Sequence, residues 1–137
     1  MIVVIMGGTE SKRDAVIKDL VSLYPGRVQS LNLDHIQMPH QRLERLMMEF
    51  DRPFPFRSIR VVNNPSSKIE VNWLREKGAF FAHMYGALSV IYDHITVMNQ
   101  DVMIAPIPHR KVYPSHVLTP EEAISDFMLR GRKVKAA

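Results

Sequence analysis

Two adjacent glycines precede a run of charged residues near the start of the chain. Gly7–Asp14 reads Gly-Gly-Thr-Glu-Ser-Lys-Arg-Asp and directly follows the apolar run Met1–Met6. Backbone N–H groups of a glycine turn, together with the positive end of a following helix dipole, attract anions. The side chains of Lys12 and Arg13 add positive charge. The pattern therefore predicts a phosphate-binding site made of Gly7, Gly8, Thr9, Glu10, Ser11, Lys12 and Arg13.

This stretch departs from the phosphate-loop pattern G-x-x-x-x-G-K-[ST]. Counted from Gly7, Lys12 stands at the second glycine, Arg13 at the lysine and Asp14 at the hydroxyl residue. Arg13 would then have to act on the transferred phosphate, and the Asp14 carboxylate would help to hold magnesium. The alternative is an ordinary strand–turn–helix junction with Ser11 as the helix N-cap.

Asp34 and His35 follow the second apolar strand-like run. An Asp-His pair could serve as a general base or orient a substrate, so Asp34 is a candidate base and His35 a candidate substrate contact. The competing interpretation is that Asp34 only caps a turn.

Arginines flank a proline-rich segment in the middle of the chain. Arg57 and Arg60 could each hold a phosphate group through two parallel hydrogen bonds, although exposed arginines are more often only surface charge. Phe54 and Phe56 in the same segment could stack on a base or pack in the core.

Apolar runs of strand length alternate with stretches of helical period along the whole chain. The predicted strands are Met1–Met6, Val28–Leu33, Ile59–Val62, Ala79–Met84 and Val102–Ile107. The predicted helices are residues 11–24, Gln41–Phe50, residues 67–77 and a last helix from Thr119 to near Gly131, whereas Leu88–Met98 is ambiguous. Ser67 with Glu70, and Thr119 with Pro120, are helix-start patterns. This alternation predicts a three-layer α/β/α domain whose mostly parallel sheet has about five strands, with the first strand central.

Length and composition indicate one globular domain. The chain has 137 residues, no cysteine and a net charge of +4. Four positive charges lie close to its end, so we expect a domain over residues 1–131 and a basic tail over 132–137. A nucleic-acid partner through this tail is conceivable but not favoured, because no basic face carries interleaved aromatic residues. We expect a cytoplasmic protein without a membrane segment, and the sequence leaves a homodimer open.

The order of these elements resembles that of small phosphate-loop kinases, in particular phage-type deoxynucleoside monophosphate kinases. The stretch Val61–His83, the Asp93-His94-Ile95-Thr96 element and the closing strand and helix carry the resemblance. Asn64 and Ser66 stand where that family has an aspartate and an arginine. The resemblance implies ATP and Mg²⁺ as cofactors, catalytic roles for Arg13, Asp34 and Asp14, metal binding by Asp14 and Asp34, and substrate contacts from His35, Arg57, Arg60, Asn64 and Glu70.

Three hypotheses about function follow. The first is a nucleotide-binding, phosphate-loop kinase-like domain that transfers phosphoryl groups to nucleoside monophosphates. The second is an inactive relative that binds a nucleotide, a nucleic acid or a protein. The third is a nucleoside or nucleotide hydrolase or transferase on a similar parallel sheet that uses an acidic residue instead of a phosphate loop. Because Lys12 and Arg13 alter the loop, we expect slow or undetectable phosphoryl transfer even if nucleotides bind.

Overall fold

The chain folds as an α/β domain around one parallel sheet. The computed structural model describes residues 1–53, 57–86, 90–105 and 113–136, with the backbone alone at residues 90 and 132–136. Within these ranges the strands are β1 (Ile2–Met6), β2 (Val28–Asn32), β3 (Ile59–Asn63), β4 (Phe80–Met84), β5 (Val102–Ile104) and β6 (Val117–Leu118). The helices are α1 (Glu10–Leu23), α2 (Pro39–Asp51), α3 (Lys68–Glu76) and α4 (Pro120–Ala136), with a 3₁₀ turn at Val90–Asp93.

Strand β1 lies inside the sheet, as its fully apolar sequence predicts. The strand order is β2-β3-β1-β4-β5-β6, and all pairs are parallel. Ile5 lies beside Asn63 of β3, and Met6 lies beside His83 of β4. The register therefore brings the ends of three neighbouring strands to the same level.

Helices cover both faces of the sheet. Alternate residues of β1 enter two separate cores, since successive side chains of a strand point to opposite faces. Val3 and Ile5 pack with residues of α1 and α4 in the first core layer. Val4 and Met6 pack with residues of α2 and α3 in the second core layer. The predicted three-layer fold is thus confirmed.

Several predicted helix ends are confirmed and others differ. Ser67 caps α3, and Thr119 caps α4 with Pro120 as its first residue. Helix α1 begins one residue earlier than expected, at Glu10. Thr9 and not Ser11 is its N-cap, and the Thr9 hydroxyl accepts a hydrogen bond of 3.2 Å from the N–H of Lys12.

The last third of the chain holds most of the other differences. Helix α4 continues past Gly131 to Ala136, so the predicted helix end near Gly131 was wrong. Strand β6, with two residues, is too short to give an alternating pattern. In the described part of the Leu88–Met98 stretch, Val90–Asp93 form a 3₁₀ turn, and residues 94–98 are neither helix nor strand. Phe54, Phe56 and the end of the predicted fifth strand lie outside the described residues.

No helix in the described ranges is long and apolar enough to cross a membrane.

The stacked pair of Phe127 and Phe80 tests the packing of α4 on the sheet. Phe127 is buried, and its ring centroid lies 4.8 Å from that of Phe80. We expect Phe127→Ala to lower the free energy of unfolding by about 3–5 kcal/mol, because it leaves a cavity in the first core layer. Leu129→Ala, at an exposed position of the same helix, should change it by less than about 0.5 kcal/mol. Urea unfolding of both variants measures the difference, and equal effects would contradict this packing.

Candidate functional site at the end of the central strand

At the carboxyl end of β1, the connections that leave neighbouring strands run to opposite faces of the sheet. From β1 the chain enters α1, which packs in the first core layer. The neighbouring strands β3 and β4 instead lead to α3 and to the 3₁₀ turn, and these pack in the second core layer. Open parallel sheets bind ligands in the crevice at such a switch point. The predicted glycine stretch lies at this place.

A three-residue turn, Gly7–Thr9, joins β1 to α1. Gly7 and Gly8 both have positive φ angles, +83° and +61°, which residues with a side chain rarely adopt. Lys12, Arg13 and Asp14 already belong to the helix. The predicted helix over residues 11–24 already included these three residues, and the turn before α1 is shorter than a loop that wraps around phosphates.

The Arg13 side chain folds back over the turn. Its guanidinium Nε donates to Asn63 Oδ1 at 3.1 Å, and Nη1 donates to the carbonyl oxygens of Gly7 at 2.9 Å and Gly8 at 3.1 Å. Only 7% of the residue is exposed. Among the described residues, no carboxylate lies within salt-bridge distance of it. A buried positive charge thus lies at the switch point, and its partners among the described residues are neutral.

A chain of hydrogen-bonded polar side chains, partly or fully buried, reaches the same turn from β4. His83 is fully buried, and its two ring nitrogens lie 2.6 Å from the Tyr92 hydroxyl and 2.8 Å from Asp101 Oδ2. Arg75 donates two hydrogen bonds of 2.6 Å to the Asp101 carboxylate. The Tyr92 hydroxyl ends the chain against Gly7, where it would lie 2.8 Å from a Cβ atom built on that residue. We call these four residues, Arg75, Asp101, His83 and Tyr92, the relay.

The relay shifts the ionisation of both of its acids. Burial alone would raise the pKa of Asp101, but hydrogen bonds from Arg75 and His83 outweigh it and hold that pKa below the ordinary value. Burial and the negative charge of Asp101 raise the pKa of Tyr92, while the charge of Arg13 acts in the opposite direction. At neutral pH Asp101 is therefore ionised and Tyr92 keeps its proton.

The two predicted magnesium ligands are both exposed. Asp14 lies on the surface of α1, and Asp34 follows the edge strand β2, which β3 separates from β1. His35 is exposed beside Asp34. In the part of the chain that is described, no group of three or more histidine or acidic side chains could hold a metal ion.

Arg57 and Arg60 lie away from the glycine turn. They are at the amino end of β3, where the N–H of Arg60 bonds to the carbonyl oxygen of Met1. The Arg60 guanidinium donates to the carbonyl oxygens of Glu49 at 2.6 Å and Arg52 at 3.1 Å. In a parallel sheet the amino ends lie at the edge opposite to the carboxyl ends, so the structure does not bring these arginines to the predicted phosphate site.

Glu70 forms a buried ion pair with Arg42. It is fully buried and accepts a hydrogen bond of 3.0 Å from Arg42 Nε and one of 2.5 Å from Ser67 Oγ. Arg42 also donates to the carbonyl oxygen of Leu33, at 2.5 Å. The pair therefore joins the loop after β2 to the start of α3 and leaves Glu70 no group for a substrate.

Asn64 lies at the crevice. It follows β3 with a left-handed backbone, φ +53°, and its N–H donates to the carbonyl oxygen of Ile5 at 2.7 Å. Of the predicted substrate contacts, Asn64 is thus the one that the strand register places beside the end of β1.

Sequence reasoning missed the relay and the Arg42–Glu70 pair. One indication was available for each: His83 interrupts the otherwise apolar strand Phe80–Met84, and Arg42 lies one helical turn from the buried Leu46. A polar side chain on a buried face needs a buried partner. The sequence does not say which distant residue supplies it.

Comparison of the chain with protein-family models, with curated proteins and with solved structures finds no match.

Gly7 and Gly78 offer a matched test of the contact between the turn and the relay. Both have similar φ angles, +83° and +76°, but a Cβ atom would meet Tyr92 at Gly7 and open space at Gly78. Gly78→Ala should cost about 1–2 kcal/mol for the backbone alone. Gly7→Ala should cost about 1–3 kcal/mol more, because the Tyr92 ring must move. Equal losses in urea unfolding would show that Tyr92 does not press on the turn.

The ionised Asp101 should make the free energy of unfolding depend on pH. Its pKa is lowered in the folded chain, so the stabilisation is complete above the unfolded value near about 4 and is lost as the pH falls below it. At pH 7 we expect Asp101→Asn to cost about 2–3 kcal/mol, because it removes the charged partner of the buried His83 and of the half-buried Arg75. This loss should shrink between about pH 4 and pH 2.

The exposed Asp93 supplies the control for this measurement. Asp93→Asn should change the free energy of unfolding by less than about 0.5 kcal/mol at neutral pH. A difference between wild type and Asp101→Asn that stays constant on acidification would contradict the charge state assigned to Asp101.

Proposed function

We propose that this chain is a nucleotide-binding domain of the phosphate-loop kinase type, in which a buried arginine takes over the role of the wrapped loop. The ligand phosphate binds at the carboxyl end of β1, against Arg13 and the start of α1. The domain does not transfer phosphoryl groups at the rate of a working kinase.

The observation that carries the proposal is the uncompensated charge of Arg13. A buried ion normally needs a partner of opposite charge, since removal from water costs several kcal/mol. Arg42 and Arg75 each have a buried carboxylate, whereas the described partners of Arg13 are a side-chain amide and two carbonyl oxygens. Its Nη2 makes none of these bonds. A phosphate oxygen would supply both the missing charge and an acceptor.

The start of α1 supports the same ligand. The N–H groups of Glu10 and Ser11, the first two residues of the helix, have no acceptor within it. They lie at the positive end of the helix dipole, one turn or less from Arg13. Anions commonly bind where a helix begins after a strand and a glycine turn.

The same geometry argues against efficient phosphoryl transfer. Kinases place a mobile lysine and a magnesium ion on the transferred phosphate. Arg13 is held by three hydrogen bonds to the turn, and the exposed Asp14 and Asp34 lie on separate elements. Any Mg²⁺ would therefore be held mainly by the nucleotide itself. These points favour the inactive relative over the active kinase.

Calorimetric titration with a panel of nucleoside mono-, di- and triphosphates, with and without Mg²⁺, tests the proposal. We expect binding that Arg13→Gln weakens at least about tenfold, which corresponds to the loss of one charge-assisted hydrogen bond. Lys18→Gln removes an exposed positive charge from the same helix and should leave the affinity nearly unchanged. Turnover of ATP with any nucleoside monophosphate should stay well below about 1 per second.

Three outcomes would contradict the proposal in different ways. Absence of binding by every nucleotide would remove the ligand site. Equal loss of affinity in Arg13→Gln and Lys18→Gln would show that Arg13 acts only through the overall positive charge of the protein. Rapid turnover would restore the active kinase.

A further inference from the structure

Strand β2 forms one edge of the sheet within the described ranges and lacks the usual protections against pairing with another chain. Native proteins blunt exposed edge strands with charges, prolines, bulges or very short strands. The strand at the opposite edge, β6, has two residues. Strand β2 has five residues, none of them charged or proline, and it pairs with β3 from Val28 to Asn32 without a bulge. Its free side is therefore suited to accept a further strand.

The backbone groups on the free side of β2 belong to alternate residues. The N–H of Ile59 on β3 bonds to the carbonyl oxygen of Arg27, so every second residue from Arg27 directs its backbone groups towards β3. The residues between them, Val28, Ser30 and Asn32, direct their N–H and C=O groups away from the sheet. Among the described residues these outward groups have no hydrogen-bond partner, and Ser30 and Asn32 are exposed.

The spacing of the outward residues is complementary to itself. When a second copy of β2 lies antiparallel with Ser30 opposite Ser30, Val28 lies opposite Asn32 of the other copy. Each of these opposed pairs can then exchange two backbone hydrogen bonds. A shift by one residue would instead oppose the outward groups to residues whose groups already bond to β3. A two-fold axis at Ser30 thus satisfies the whole edge with a single, symmetric contact.

The charges that flank β2 agree with this arrangement. Arg27 precedes the strand and Asp34 follows it, and no charged residue lies between the two. An antiparallel copy brings Arg27 of one chain near Asp34 of the other, whereas a parallel copy in register would bring like charges together. Within the described part of the chain neither side chain forms a salt bridge. The edge is therefore complementary to itself in charge as well as in hydrogen bonds, which favours a second copy of this chain as its partner.

We infer that two copies of this chain associate through β2 as a homodimer, in which two six-stranded sheets join into one continuous sheet. This inference does not depend on the proposed nucleotide site, because β3 separates β2 from β1. Two paired strands of five residues bury less surface than a standard stable interface. We therefore expect a weak dimer, with a dissociation constant of about 1–100 µM.

Sedimentation equilibrium of the full chain, at concentrations from about 1 µM to about 1 mM, tests the association. Wild type should pass from monomer to dimer across this range. Ser30→Lys should weaken the dimer at least about fivefold, because it places two like charges opposite each other at the two-fold axis. Ser115→Lys adds the same charge at an exposed serine beside the opposite edge and should dimerise like wild type.

A pair of cysteine variants tests the register, since the chain has no cysteine of its own. In the inferred dimer the Cα atoms of the two Ser30 residues lie about 5.5 Å apart, which a disulfide can span. Gln29 is also exposed but lies opposite Leu31 of the other copy, so its two copies are too far apart for a disulfide. In air-saturated buffer Ser30→Cys should therefore form a covalent dimer much faster than Gln29→Cys.

Each measurement has an outcome that overturns the inference. A wild type that stays monomeric up to about 1 mM would show that β2 does not pair. A dimer that Ser30→Lys and Ser115→Lys weaken equally, or not at all, would place the contact on another surface. Equal rates of covalent dimer formation in the two cysteine variants would contradict the register, and this comparison decides the question if Ser30→Lys does not fold.

Discussion

The positive charge of Arg13, buried below the Gly7–Gly8 turn, organises the end of the central strand. A guanidinium that is buried away from water must donate its hydrogen bonds to nearby protein acceptors. Here the acceptors are Asn63 and the carbonyl oxygens of Gly7 and Gly8, which belong to β3 and to the turn after β1. The turn needs positive φ angles at both glycines. Because these bonds hold the guanidinium in place without neutralising it, the strand ends form a rigid site that still favours an anion.

The buried Arg42 and the half-buried Arg75 show one structural solution for an arginine in this chain. Arg42 pairs with Glu70 and joins two loops, and Arg75 pairs with Asp101, the carboxylate that also fixes His83. In each case a buried carboxylate neutralises the charge. Removal of either partner would leave an unpaired ion, so these pairs are costly to change and offer little to a ligand. Arg60, which is also buried, instead donates to the carbonyl oxygens of Glu49 and Arg52, so the type of partner does not by itself separate scaffold arginines from binding residues.

Much of the fold could be predicted because it depends on local patterns. The apolar run at β1 and the helix-start residues Ser67 and Thr119 each act within a few positions of the chain. The site was harder to predict, because Arg13 finds its partner Asn63 and His83 finds Asp101 only after folding. The phosphate-loop pattern did not show that the Arg13 side chain folds back onto the turn, since a linear pattern does not give the partners of a side chain. Arg60 and Glu70 likewise have the residue types of a phosphate or substrate site but lie in structural contacts.

The central claim is that the uncompensated charge of Arg13 is the receptor for a ligand phosphate. Two-dimensional ¹H–¹⁵N NMR, observed during a titration with a nucleoside monophosphate, reports on it directly. The account predicts that the Arg13 Nε–H and the amides of Gly7 and Gly8 shift most, while the amides of Gly26 and Gly78 at the ends of other elements keep their positions. Largest shifts away from the end of β1, or an Arg13 Nε–H that does not respond to a bound nucleotide, would contradict it.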